Sequence, residues 1–482
     1  AVGHAAGSAV TTGVQNTLMG GLAGDALTTG LYNTAMGYTA LGYDQAGDYS
    51  TAIGWAALGD QRSDGAGQDV YNTAVGAMAG NSLTTGIKNT FIGGECGANG
   101  VVTGDSSTGV GFKALYELTV GTQNTAVGSN ALAAATTGER NTAVGAQALS
   151  TEIDGDYSVA IGYAALEDQE SDSAGQNIYN VAVGAFAGEE LTTGIKNTLI
   201  GAEAGGAGII TGDKNTAVGY NSLNANTSGY NNTVMGDNAF AANQGGYSNV
   251  VLGGTAADGA TATNGGVYIG YDAGGGLTTA DNNVFVGYSA GNSGVATQDG
   301  DNNICIGFGT GTSATGSQNQ IVLGVSINGG EDSQFRFGKA SNTVSNEFDT
   351  DAAWSQASDE RLKTNINDTV LGLDFVNDLR PVTYQWKASQ DLDSSDTQLE
   401  KLYNPDENLM NTDVVMHGLI AQEVKAALDT ADVDTFKGWS QDSDGVQNIS
   451  REMFVIPLIK AVQELSATVE TLQAEIELLK GE

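Results

Sequence analysis

Residues 141–145 read Asn-Thr-Ala-Val-Gly, and the same pattern recurs, with related residues exchanged, wherever a short apolar stretch ends in a marker glycine. Those glycines are Gly20, Gly37, Gly54, Gly76, Gly93, Gly111, Gly128, Gly145, Gly162, Gly184, Gly201, Gly219, Gly236, Gly253, Gly270, Gly287, Gly307 and Gly324. Neighbours stand mostly 17 residues apart, with 18 and 22 occurring twice and 20 once. A unit this short cannot bury its own apolar face, so successive units must stack as the coils of a solenoid around a shared core. In an extended Thr-Ala-Val segment the Thr and Val point one way and the Ala the other. The Val, Ile, Met or Leu before each glycine is the expected inward residue. After each glycine comes an Ala-Leu or Ala-Gly step and then Thr-Thr-Gly-type turn residues. Glycine there supplies positive φ at corners, and Asn and Thr side chains satisfy turn backbone groups.

A larger duplication overlies the repeat. The stretch beginning at Ser50, STAIGWAALGDQ, matches the one beginning at Ser158, SVAIGYAALEDQ, at an offset of 108 residues. The 22-residue spacings recur at that offset, so residues 59–66 and 167–174 are expected to project equivalently from one face.

Composition divides the chain near residue 358. Of 70 glycines, 65 precede Ser358, whereas Pro381, Pro405 and Pro457 all follow it. Eight of the 18 basic residues fall before Ser358 and ten from there on. We therefore expect a mainly β chain of three parts: a repeat shaft over 1–324, a neck or tip connector over 325–357, and a small α+β module over 358–482. With 56 acidic residues and a formal charge of −38, the chain would meet nucleic acid or an anionic membrane through a repulsive field. No window approaches about 18 uninterrupted apolar residues, and the first residues lack a signal-peptide pattern. The chain opens with Ala partway through a repeat, as a fragment or processed form would. Cys96 and Cys305 are far apart with no Cys/His cluster, which argues against a disulfide framework or a zinc site. Cys305, within an apolar run, reads as a buried small hydrophobe. The acidic runs starting at Gln298 and Gln441 lack full EF-hand spacing, so neither a metal nor another cofactor is assigned.

The repeats resemble the left-handed β-roll heads of trimeric autotransporter adhesins and the repeat shafts of phage tail fibres. That resemblance implies three parallel chains. The C-terminal part reads SDERLKTNI from Ser358, LGLDFVNDLRPVTYQWK from Leu371, HGLIAQEV from His417 and FVIPLIKAVQEL from Phe454. Together these resemble the intramolecular chaperone and self-cleaving endopeptidase module, the peptidase S74 family, of phage tail fibres and tailspikes.

Ser358 is a weak nucleophile unless a base takes its proton, and Lys363, five residues on, can serve if burial and cationic neighbours depress its pKa. The family pattern S-D-x-R-x-K falls on Ser358, Asp359, Arg361 and Lys363. The resemblance implies a single cleavage between Ala357 and Ser358 that follows assembly. It puts His417, Gln422 and Glu423 in supporting positions, where a buried core histidine is an equal alternative for His417. Read alone, SDERLK is a solvated helix start with Ser358 as N-cap. Trp386 and Trp439 read as packing residues.

Leu458, Val462, Leu465, Val469, Leu472, Ile476 and Leu479 alternate by four and three, the seam of a coiled coil. Val or Ile at one seam position with Leu at the other ordinarily favours two strands, whereas the resemblance implies three; three is expected here.

The expected whole is a homotrimeric phage tail fibre in the virion, assembled in the host cytoplasm. Its partners would be other tail proteins and a host-surface receptor, a glycan or a protein. The rivals are a trimeric bacterial surface adhesin and a fibre that also degrades polysaccharide. The first would need an outer-membrane anchor. The second would need an aromatic groove with paired carboxylates, and aromatics are only 7% of this chain.

Overall fold

A computed structural model describes residues 1–482 except 64, 66, 209, 293–298, 348–354, 357, 397, 398, 400–402, 407, 409–411, 443, 444 and 482. Gln298 of one acidic run, Ser443 and Asp444 of the other, and Ala357 thus lie outside the described residues. The chain divides into two compact units, Ala1–Ala357 and Ser358–Glu482.

The first unit is a β-solenoid. Among the described residues each repeat contributes one short strand just before its marker glycine, from Thr17–Met19 to Ile321–Val325, and Gly47–Asp48 and Gln68–Asp69 form a second short parallel pair. Each pairs in parallel with the equivalent strand of the next coil, as Thr142, Ala143 and Val144 do with Val159, Ala160 and Ile161. The sheet continues into Gln334–Lys339, parallel to Ile321–Val325, which then forms an antiparallel hairpin with Asn342–Glu347.

The expected inward residue is corrected by the structure. The middle residue of each strand, Ala more often than any other, is buried, while the residues on either side of it, such as Thr142 and Val144, face outward, half-buried or exposed. The physical reason is the narrowness of the interior, which has room for one small strand residue beside a Leu four positions after the marker glycine. Leu41, Leu58, Leu115, Leu132 and Leu149 fill that place and are fully buried. Where the strand residue is large, the Leu is replaced. Phe91 is buried between Gly80 and Gly97, at each of which an added Cβ would meet its ring within 2.9 Å. Leu199 stands likewise against Gly188 and Gly205. Cys96 and Cys305 lie in this core, and burial pushes both thiols up to about 12.

Positive φ is not confined to glycine. Tyr32, Lys88, Arg140 and Leu149 all adopt left-handed backbone near +60° or +50°. This is a strained state for a side-chain-bearing residue and is held by the coils on either side.

A buried asparagine before most strands ties coil to coil. Asn141 Nδ2 donates to the Gly155 carbonyl at 2.7 Å, and its Oδ1 accepts from the Ser158 N–H at 2.8 Å. Asn124 and Asn180 make the same pair of bonds in their own coils. Each ladder residue satisfies buried backbone groups that water cannot reach. The 108-residue duplication adds a second buried network. Gln61 donates to Asp44 and Ser50 and accepts from Asn72, and Gln169 does the same with Glu152, Ser158 and Asn180. These residues anchor the base of each 22-residue coil.

One cluster of surface acids opposes the fold at neutral pH. Partial burial, then Glu167, Glu190, Asp168 and Glu203, raise the pKa of Glu189. An acid whose folded pKa is raised destabilises the fold while ionised, and the penalty fades as pH falls through that pKa. Glu189→Gln is therefore expected to raise the melting midpoint slightly at pH 8 and to do less at pH 5. The effect is small because solvent screens the group. Circular dichroism melts at the two pH values check this, and an equal gain at both would count against it.

The second unit is small and mixed. Helix α1 (Leu373–Asp378) and helix α2 (Ala421–Thr430) pack Phe375, Val424, Ala427 and Leu428 together with Leu371 and Phe454. The spacing of Val424, Ala427 and Leu428 puts them on one face of α2. Two short antiparallel pairs, Val382–Tyr384 with Met416–Gly418 and Trp439–Gln441 with Gln447–Ile449, flank them. Helix α3 (Val455–Lys480) is anchored near its start by Pro457 and Ala461, and Glu464 on it accepts the Leu373 N–H at 2.7 Å. Beyond that, α3 presents its seam outward: Leu458, Val462, Leu465, Val469, Leu472, Ile476 and Leu479 are all exposed. No helix among the described residues is long and apolar enough to cross a membrane.

Candidate functional site

The second unit begins with a tight turn. Asp359 caps a 3-10 turn over Glu360–Leu362, its Oδ1 accepting the Arg361 N–H at 2.9 Å. The cap is therefore Asp359, one residue after the Ser358 that the local pattern suggests. The Arg361 guanidinium grips the same carboxylate, Nε to Oδ1 at 3.0 Å and Nη2 to Oδ2 at 2.6 Å. These bonds hold the Asp359 carboxyl below the usual carboxylate range.

The turn reverses the chain just enough to bring the ends of the motif together. Lys363 Nζ donates to Ser358 Oγ at 2.6 Å. Both residues are exposed. A hydroxyl touching an amine has the geometry of a Ser-Lys dyad, in which the neutral amine takes the hydroxyl proton as the oxygen attacks a carbonyl. Desolvation is the ordinary means of freeing a lysine of its proton.

The other expected supporting residues stand elsewhere in the unit. His417 lies opposite Thr383 in the Val382–Tyr384 and Met416–Gly418 pair and is exposed, so it is not a core histidine. Glu423 on α2 is bound by the Arg380 guanidinium, Nε to Oε2 at 3.2 Å with a second bond from Nη2 to Oε1, which lowers its pKa. Gln422 lines an open cleft of about 430 Å³ with Tyr384, Trp386, Asn448 and Arg451. Among the described residues no hydrogen bond or ion pair joins His417, Gln422 or Glu423 to Ser358 or Lys363. Of the two tryptophans, Trp439 packs against the core while Trp386 is exposed in the cleft. Among the described residues no group of three or more His, Cys, Asp or Glu is placed to hold a metal ion.

Sequence reasoning missed Arg380, Tyr384 and Arg451. Arg451 Nη2 donates to the Tyr384 hydroxyl at 3.3 Å across 67 residues of sequence, and nothing local marks either residue.

Residues 358–433 match the family model Peptidase_S74, described as chaperone of endosialidase. No curated protein matches the chain. A β-solenoid joined to a segment that matches this family model fits a protein of the tail-fibre or tailspike kind, and the match supports a trimerisation and chaperone role for the second unit.

Proposed function

We propose that the chain is a phage tail-fibre protein whose Ser358–Glu482 unit aligns three copies and then cuts itself free. The observation that carries the reading is the 2.6 Å contact between Lys363 Nζ and Ser358 Oγ, at the first residues of the segment that matches the chaperone family. Stacked coils of nearly identical sequence can slip by one unit at little local cost, and non-local strand pairing folds slowly. A compact unit that associates first raises the effective concentration of the three shafts and fixes their register. The outward seam of α3 is the surface such an association would use.

Cleavage follows from the dyad. A neighbouring copy covers the turn, excludes water and favours the neutral amine of Lys363. Ser358 Oγ attacks the Ala357 carbonyl carbon as Lys363 takes its proton. The C–N bond to Ser358 then breaks, and the proton passes to the departing Ser358 nitrogen. The resulting ester is hydrolysed by water, which leaves a carboxylate on Ala357 and restores the Ser358 hydroxyl beside a new amino terminus. Separation from the unit that aligned them leaves the wound shafts kinetically trapped. The shaft would then serve in the virion, joined to other tail proteins and contacting a receptor on the host surface.

The test is a mass measurement on the assembled chain after denaturation. Two pieces, one starting at Ser358, are expected; a single intact chain from fully assembled material would contradict the reading.

A further inference from the structure

We propose that Tyr43, Gln45, Arg62 and Ser63 form a site on the shaft for a sugar that bears a carboxylate, the hexuronic acid unit of a surface polysaccharide. The proposal rests on the reading of the shaft as the part that contacts the host, and adds where the contact is made and with what chemistry. These four residues and Ala26 line an open pocket of about 350 Å³, within the span of about 300–1,000 Å³ usual for small-molecule sites. They stand six to nine residues after their marker glycines, beside the base of the first 22-residue coil's loop.

Each side chain offers something such a sugar needs. The Tyr43 ring is 59% exposed and presents a flat apolar face, on which the C–H face of a pyranose ring can stack. The Arg62 guanidinium lies 5.8 Å from the centre of that ring. That distance is at the outer limit of a cation–π contact, so the ring face is not taken up by the cation. Among the described residues no carboxylate pairs with this guanidinium. The Gln45 amide can donate and accept, and the Ser63 hydroxyl, which gives its proton to Asp44 Oδ1 at 3.0 Å, can accept from a ring hydroxyl.

Charge selects the ligand. The chain carries −38, so an anion is held only where a cation faces it. A single guanidinium matches the single charge and planar fork of a carboxylate. A phosphate monoester would leave a second negative charge unmatched in that field.

The internal duplication shows that these residues are not required for folding. The coil 108 residues on keeps the same buried network but has Thr151 for Tyr43, Ile153 for Gln45 and Glu170 for Arg62. The scaffold therefore stands without the ring, the amide and the cation. In the first copy, Asp44 Oδ1 also accepts the Ser63 N–H at 3.2 Å, which fixes the start of the loop beside the pocket. The main chain is pinned to adjacent coils, the Tyr43 N–H to the Gly59 carbonyl at 3.1 Å and the Arg62 N–H to the Thr84 carbonyl at 2.8 Å. A site held this firmly loses little freedom on binding.

The experiment is calorimetric titration of the full chain with oligomers of galacturonic acid and of mannuronic acid. Malto-oligomers serve as the neutral comparison and inorganic phosphate as the bare anion. The acidic oligomers are expected to bind at least about tenfold more tightly than either. Arg62→Glu and Tyr43→Thr follow exchanges that the duplicate coil already carries, so the fold accommodates them, and each is expected to weaken binding at least about fivefold. Lys196→Glu makes the same change of charge on another coil and is expected to stay within about twofold of the parent. No binding of either acidic oligomer, equal binding of the neutral one or of phosphate, or an equal loss in Lys196→Glu would each overturn the proposal. A chain that binds the acidic oligomers through Arg62 yet stays a single uncut copy would overturn the tail-fibre reading and leave this site standing. A three-copy, cut fibre that binds neither would do the reverse.

Discussion

Ser358→Ala is expected to leave the assembled chain as a single 49.0 kDa species, where the parent gives two pieces. The substitution removes the nucleophilic oxygen that Lys363 touches and disturbs little else, because Ser358 is exposed and the cap of the turn is Asp359. Loss of a nucleophile or its base lowers cleavage on the order of 10⁴-fold or more. Lys363→Met should fall as far. Lys363→Arg should not rescue it, since a guanidinium keeps its proton and cannot act as the base. A merely structural lysine would tolerate Arg, so the pair of variants separates the two roles. Quantitative gel densitometry against time checks each point, and cleavage in Lys363→Arg at the parent rate would remove the dyad from the account.

Gly145→Ala is expected to be among the most damaging single changes in the shaft. Gly145 sits at φ +142°, and an added Cβ would lie 2.1 Å from the carbonyl oxygen of Gly162 in the next coil. Backbone strain in that region costs about 1–3 kcal/mol for a side-chain-bearing residue. The contact with a backbone oxygen adds to it, since neighbouring coils cannot part without breaking strand pairing. A loss of about 3 kcal/mol or more follows. In a repeat array the damage is felt first by the coil and its neighbours. Gly65→Ala is the control: no atom lies within 4 Å of its added Cβ, and a change within about 0.5 kcal/mol is expected. Urea unfolding midpoints of the two variants test the contrast, and equal midpoints would refute it.

The repeat made the solenoid legible because stacking coils demand regular spacing, and the marker glycine keeps that spacing in view. The inward residue was not legible from Thr-Ala-Val alone. Alternation fixes which residues share a face but not which face is buried, and the larger Val draws the wrong choice. The answer lay in a second position: Phe91 and Leu199 occur with glycines in the places that otherwise carry Leu. Those two positions vary in concert because they share one narrow interior. The left-handed corners at Tyr32, Lys88 and Arg140 give no such signal, since their strain is imposed by neighbouring coils and not by the residue itself.

The Ser358–Lys363 contact was legible because a single local turn makes it. Arg380 with Glu423 and Tyr384 with Arg451 were not, because each pair is made by the tertiary fold from distant stretches. The buried network of Asp44, Ser50, Gln61 and Asn72 was half visible. Its repetition 108 residues on, with Glu152 for Asp44, was in plain sight as a duplication, but polar residues buried in a solenoid do not look different from those on its surface.

The account turns on three copies being brought into line by the Ser358–Glu482 unit. The most direct measurement is sedimentation of refolded protein, comparing the full chain with a chain ending at residue 357 under identical dilution from denaturant. The full chain should recover a three-copy shaft, and the shortened one should recover it at least about tenfold less often, as slow non-local pairing predicts. Equal recovery of the three-copy shaft at equal rate would contradict the account.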